Sequence, residues 1–211
     1  MNSFRVSSSV ALVAGAASLA MTLAACGSDS ETSSTTSTST PSVAEVLTPS
    51  IAETATEPAT CPTAAPQDGG TPEWTLSGST GSVAVTGSTD TAAPLVKVDG
   101  PFSVAETQVH TLKAGDGPVV APTANVLVCY MGVNGRDGSV FDSSYERGEP
   151  VDFPLTGVVA GFQKAISGQK VGSTVAVAMT SAEGYPDGQP AAGIQPGDSL
   201  VFAIKILDAQ G

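Results

Sequence analysis

The sequence predicts an α+β domain, an antiparallel sheet curled over a single short helix, set behind a long polar leader. Three observations carry this expectation. The second half of the 211 residues alternates apolar and polar side chains at strand period in several stretches and shows helical spacing in one. The 23 Gly and 15 Pro are too many for a helical bundle. Composition also changes sharply along the chain, leaving about 100 C-terminal residues with enough apolar material for one modest core.

The elements follow in order. Residues 74–76, 82–86 and 95–98 are short strand-like pieces split by Gly and Thr, which form either an extra β-layer or a partly ordered extension. Residues 109–112 and 125–131 read as strands. In the second of these, Val126, Val128 and Tyr130 share one face, and Leu127 and Cys129 share the other. Asn134-Gly135 and Asp137-Gly138 are turn dipeptides. Val158, Val159, Phe162, Ala165 and Ile166 recur at helical spacing and mark one face of a short helix, with Gly168 suited to cap its C-terminus. Residues 173–180 form a strand in which Val175, Val177 and Met179 alternate. Residues 199–207 form another, with Leu200, Phe202, Ile204 and Ile206 on one face.

Charge and composition remove several function classes. A net charge of −12 makes the chain a poor nucleic-acid binder, because phosphate contacts need clustered Lys and Arg, and no polybasic segment is present to hold anionic lipid. One His (His110, read as a partly exposed structural residue) and three Cys argue against a His-based triad, a His-rich metal site or a zinc ribbon. Ser143 has no partner base in sight. Asp137, Asp142, Glu146 and Asp152 do not have the spacing of an EF-hand loop, so no metal is expected.

Residues 1–25 have the layout of a secretory signal: Arg5 near the start, an apolar run from Val10 to Ala25, and small residues at the end. The run is short for a membrane span, which takes about 20 residues; an uncleaved anchor is the alternative. Leu23-Ala24-Ala25-Cys26 resembles the bacterial lipobox, whose chemistry needs the Cys26 thiol for alkylation by a diacylglyceryl group. Two acyl chains of the palmitate type would then hold the protein stably on the extracytoplasmic face of the cell membrane. Residues 26–72 are a Ser/Thr/Ala/Pro tract without apolar periodicity, read as a flexible tether spanning about 35–40 Å. Residues 73–104 form a β-rich extension and residues 105–211 the domain.

Within that domain a set of motifs occurs in a fixed order. It runs through Val128-Cys-Tyr-Met-Gly132, Asp137-Gly-Ser-Val-Phe-Asp-Ser-Ser144, Arg147, Pro150, Phe153-Pro-Leu155 and Val158-Val-Ala-Gly-Phe162. It continues through Gly168-Gln-Lys-Val-Gly172, Ala182-Glu-Gly-Tyr185, Gly193-Ile-Gln-Pro196 and Leu200-Val-Phe202. Over roughly residues 105–208 this order resembles the FKBP-type peptidyl-prolyl cis-trans isomerases. With the lipobox, the whole resembles an exported bacterial lipoprotein of that family, of the actinobacterial kind.

The resemblance implies the FKBP-like fold and a reaction that rotates X–Pro amides in exported proteins without nucleophile, metal or cofactor. It implies that Tyr130, Phe141, Val158, Val159, Phe162, Tyr185 and Phe202 line a proline pocket, with Phe162 as its floor where the family often has Trp. It assigns Asp142 to polarise the bound amide or orient Tyr130, with Arg147 as its charge partner. Ile194 would donate its backbone N–H to a substrate carbonyl, and Tyr185 would offer its hydroxyl to another. Phe153 is expected as a wall or core residue. The same aromatic and Val side chains would also make an ordinary core, and Asp142 before Ser143 would also suit a turn cap. Val151, Pro186 and Gln195 depart from the family pattern, which bears on rate and on affinity for macrolides of the FK506 and rapamycin type. A monomer is expected.

With Cys26 acylated, Cys61 and Cys129 remain as an even pair in an oxidising compartment, and Cys129 points away from the Tyr130 face. A Cys61–Cys129 disulfide pinning the end of the tether is the expectation; two free thiols are the alternative. Two further functions stand beside the isomerase: a non-catalytic module or chaperone that binds Pro-containing segments, and a structural envelope lipoprotein.

Overall fold

In the computed structural model, residues 59–66 and 70–211 are described. Cys26, the leader and most of the tether lie outside them. The first strands, β1 (Trp74–Ser77), β2 (Thr80–Thr86) and β3 (Leu95–Ser103), pair antiparallel as a three-stranded sheet in the order β1-β2-β3. Alternation in β2 buries Val83 and Val85 while Gly81, with φ +59, supplies the left-handed residue that the register shift against β3 requires.

The second sheet contains β4 (Gln108–Lys113), β5 (Asn125–Asn134), β6 (Val140–Ser143), β7 (Val151–Pro154), β8 (Thr174–Met179) and β9 (Leu200–Gln210). Its order is β4-β8-β9-β5-β6, with β7 also paired to β5. All its pairings are antiparallel. One edge of β5 follows β9 from Asn125 to Asn134. The other edge is shared: β7 pairs with residues 125–128 and β6 with residues 131–133. Tyr130 falls in the gap between them, and its N–H is satisfied by the Ser144 hydroxyl at 2.8 Å. Ser144 opens the single-turn helix α1 (Ser144–Arg147), capped at its start by the Ser143 side chain and at its end by Gly148 in the left-handed region.

The principal helix, α2 (Ala160–Ile166), buries Phe162, Ala165 and Ile166 against the sheet. Val158 and Val159 belong to the same apolar stripe in the sequence, but the structure leaves both extended ahead of the helix, with Val159 as N-cap at ψ 147°. Gly168, at φ +81, follows the helix and donates its N–H to the Val120 carbonyl at 3.0 Å. Gly161 lets α2 lie close to β8: a Cβ there would come within 2.8 Å of Met179 Cβ.

Both faces of β8 are buried, as is most of β9. On the helix side, Val175, Val177, Met179, Leu200, Phe202, Ile204 and Ile206 join the main core. On the back, Ala176, Ala178, Val201 and Ala203 pack with Val83, Val85 and Phe102 of the three-stranded sheet. Residues 74–103 are therefore a β-layer on the domain. A third cluster holds Cys61, Ala93, Cys129 and Tyr145, and here Cys61 and Cys129 form a disulfide with a Cα–Cα distance of 5.7 Å. The Cys61 N–H also donates to the Gly148 carbonyl at 3.1 Å, so the chain ahead of β1 is held at the end of α1. Among the described residues no helix is long and apolar enough to cross a membrane.

Candidate active site: an aromatic cavity over the helix

A cavity of about 350 Å³ opens between α2 and the near side of the sheet. Each wall has a different origin. Strand β5 contributes Tyr130, β6 contributes Phe141 and Asp142, and β7 contributes Phe153. The segment ahead of α2 provides Gly157, Val158 and Val159. Helix α2 brings Phe162, the β8–β9 connection brings Tyr185, and β9 brings Phe202.

The rings are fixed by edge contacts. Phe162, only 5% exposed, forms the floor. Its ring lies 5.2 Å from Phe202 at 82°, 5.5 Å from Phe153 at 62° and 5.8 Å from Tyr130 at 85°. Phe141 meets Phe202 at 5.4 Å and 87°. Such edge-to-face contacts add about 0.5–1.5 kcal/mol each beyond burial and restrict ring rotation. Gly132 makes this packing possible, because a Cβ at that position would sit 2.5 Å from Phe141 and 2.8 Å from Phe202.

One wall is polar. The Tyr130 hydroxyl donates a hydrogen bond to Asp142 Oδ2, and Arg147 Nη1 donates to Asp142 Oδ1 at 2.6 Å. Arg147 Nη2 reaches the Tyr130 oxygen at 3.5 Å. Burial, reinforced by the bond to the carboxylate, pushes the Tyr130 hydroxyl up to about 12, so it remains a donor. Burial alone would raise the Asp142 carboxyl. The hydrogen bonds from Tyr130 and Arg147, with the Arg147 charge, outweigh it and hold the group below the usual carboxylate range. The cavity thus has a fixed anionic oxygen and an oriented hydroxyl beside a largely aromatic surface.

Among the residues expected from the sequence, Tyr130, Phe141, Asp142, Val158, Val159, Phe162, Tyr185 and Phe202 line this cavity. Arg147 stands behind Asp142 as its ion-pair partner and is largely exposed. Ile194 differs from its expected role. It is 2% exposed and packs in the main core. Its N–H donates to the Gln189 carbonyl at 3.1 Å, and its carbonyl accepts from Gln189 N at 2.8 Å. This small bridge already occupies the donor that a substrate carbonyl would need. Val159 is placed better: it lines the cavity, its carbonyl accepts from Phe162 and Gln163, and among the described residues no backbone carbonyl accepts from its N–H. The sequence offers no sign of this, because the helical spacing puts Val159 inside the helix. Phe153 is a wall residue; the exposure alternation of β7 points it inward while Asp152 and Pro154 face solvent.

Residues 117–207 match the family described as FKBP-type peptidyl-prolyl cis-trans isomerase. The FKBP-type 22 kDa peptidyl-prolyl cis-trans isomerase of Escherichia coli is 37% identical over 101 residues, which cover 48% of this chain and 48% of the relative. The chain therefore aligns with about half that relative's length. The FK506-binding protein of Streptomyces anulatus is 32% identical over 117 residues, covering 54% of this chain and 94% of the relative. Among solved structures, FkpA from Escherichia coli superposes with a TM-score of 0.46 at 33% identity, over 49% of this chain and 48% of that one.

Proposed function

The chain belongs to the FKBP-type peptidyl-prolyl cis-trans isomerases, and from that membership we propose that its aromatic cavity accelerates X–Pro rotation in exported proteins. The single observation that carries the reading is the cavity itself, four Phe and two Tyr around about 350 Å³ with one oriented hydroxyl–carboxylate pair.

The chemistry suits such a site. Rotation about an X–Pro amide meets a barrier of about 20 kcal/mol because resonance stiffens the C–N bond. Twisting the bond breaks the resonance and reduces the charge separation of the amide. A cavity with few polar groups disfavours the planar, more polar form relative to the twisted one. The proline ring would sit on Phe162, between Tyr130, Phe141 and Phe202. The Val159 N–H and the Tyr185 hydroxyl are the donors suited to hold the carbonyls on either side, while Asp142, held by Arg147, fixes Tyr130. No bond is made or broken in this scheme, so no nucleophile is called for.

The cellular setting belongs to the same proposal. The signal-like residues 1–25, the lipobox ending at Cys26 and the Cys61–Cys129 disulfide support an exported lipoprotein on the extracytoplasmic face. Macrolides of the FK506 and rapamycin type are the expected competitors for the cavity. A protease-coupled isomerisation assay with a proline tetrapeptide tests the reading. Turnover in the mature chain that macrolide suppresses supports it. Peptide binding without turnover would instead make the domain a binding module.

A further inference from the structure

The connection between β8 and β9 brings Tyr185 to the cavity, yet it has little structure of its own. It contains two single helical turns, Ser181–Glu183 and Pro190–Ala192, and the isolated bridge between Gln189 and Ile194. A chain of this length holds one conformation only if other groups tie it down. Ile194 in the main core and the Lys164–Glu183 ion pair anchor parts of it, and two hydrogen-bonded ties act on Tyr185 and residues 193–198. Ser181 Oγ donates to the Tyr185 carbonyl at 3.2 Å and accepts from Gly197 N at 3.1 Å, closing the connection on itself.

The second tie comes from the β5–β6 hairpin. Asp198, whose side chain is 7% exposed, accepts from Gln195 N at 2.9 Å, from Asn134 Nδ2 at 2.8 Å and from Arg136 Nε at 3.2 Å. Arg136 directs Nη2 to the Gly193 carbonyl at 3.1 Å and Nη1 to Asp137 at 2.9 Å. One guanidinium therefore grips the connection at two points, a carboxylate and a carbonyl. Its planar fork fixes the rotation of the segment as well as its position, which a Lys ammonium would not. Arg136 is not among the residues that line the cavity.

We propose that Arg136 is a positioning residue for the prolyl site: through Asp198 and Gly193 it clamps residues 193–198, and through Ser181 it holds Tyr185 at the cavity mouth. The proposal rests on the reading of the cavity as the isomerase site. The clamped segment bears on how the peptide is held, in the planar and the twisted state alike, so its loosening raises KM more than it lowers kcat.

The test compares the full mature chain with Arg136→Ala, Arg136→Lys and Asp198→Asn. It measures kcat and KM for a proline tetrapeptide, and amide hydrogen exchange at Gln195 and Ile194 against Ile204 in β9. Arg136→Ala is expected to raise KM about tenfold while kcat stays within about twofold. It also frees exchange at Gln195 and Ile194 and leaves Ile204 protected. Arg136→Lys falls between, and adding Asp198→Asn to Arg136→Ala costs little more, because the Arg136 tie is already gone and an amide oxygen still accepts from Gln195 N and Asn134 Nδ2. An unchanged KM with protected Gln195 overturns the clamp. So does a fall in which kcat, KM and Ile204 protection move together, since that is general destabilisation. A wild-type chain without turnover sinks the isomerase reading instead, and the exchange pattern then still decides whether Arg136 holds the segment.

Discussion

The two faces of the six-stranded sheet are made by the same strands and have opposite outcomes. On the back, β8 and β9 present Ala176, Ala178, Val201 and Ala203, and a second sheet lies against them with Val83, Val85 and Phe102. Small side chains on a pleated surface let another sheet approach and fill the space. On the helix side the same strands present Met179, Leu200, Phe202 and Ile204. Here large rings meet edge to face across a helix of only seven residues, and the space beside them stays open as the cavity. Burial is near complete on both sides, so exposure does not separate a structural face from a functional one. Ring geometry and the one polar wall do.

The largest effects separate the faces directly. Phe162→Ala and Phe102→Ala each remove a buried ring and are expected to cost about 3–5 kcal/mol of stability. Only Phe162→Ala also removes the floor, so turnover per folded molecule falls at least about tenfold, while Phe102→Ala leaves it within about twofold. Denaturant melts combined with active-site titration check this. Equal loss of turnover in both would erase the distinction.

Next in size is the disulfide. It closes a sequence separation of 68 residues. Its removal in Cys61→Ser/Cys129→Ser is expected to lower stability by about 2–4 kcal/mol, mainly through a freer unfolded chain. Ser144, whose Oγ lies 3.4 Å from Cys61 Sγ, still has the Tyr130 N–H as partner. Turnover at a temperature where the variant is folded should therefore hold.

A smaller change comes from the polar wall. Tyr130→Phe and Asp142→Asn keep the apolar shape and remove the oriented pair, and about five- to tenfold loss of kcat/KM is expected with stability altered by about 1 kcal/mol or less. The two together should cost little more than either alone, because they form one network.

The smallest expected effect is that of pH. The Asp142 carboxyl lies below its ordinary range when folded, so its contribution is complete above the unfolded value near 4 and is lost as pH falls through the folded one. The Tyr130 hydroxyl lies above its ordinary 10, so its contribution is complete below 10 and is lost as pH rises through about 12. Turnover should be flat from about pH 5 to 9 in a rate profile. A bell centred near neutrality would point to a titrating group that the site does not contain.

Much of the architecture was legible because alternation and turn chemistry are local. The strands near residues 109, 125, 174 and 200 and the apolar stripe of α2 follow from period alone, and the ordered motifs bring most of the cavity wall together. Other parts were not legible. Strands β6 and β7 are four residues each, too short for period to show, and they exist because each takes half of one edge of β5. Helical spacing carried Val158 and Val159 into α2, whereas the chain stays extended there and turns them toward the cavity. Ile194 is assigned as a donor by the resemblance alone, and no local pattern in the sequence shows that its N–H is taken by Gln189.

The chain's order of residues was enough for the fold class, the family and the list of aromatic side chains, since those depend on pattern and on motifs in series. Three things needed the folded protein: that residues 74–103 lie on the back of the sheet, that Cys61 reaches Cys129, and which backbone N–H at the cavity has no carbonyl partner among the described residues. Each depends on groups far apart in the chain meeting in space. Sheet packing, a cross-link and hydrogen-bond competition are settled by such meetings, and a single stretch of sequence holds only one partner of each.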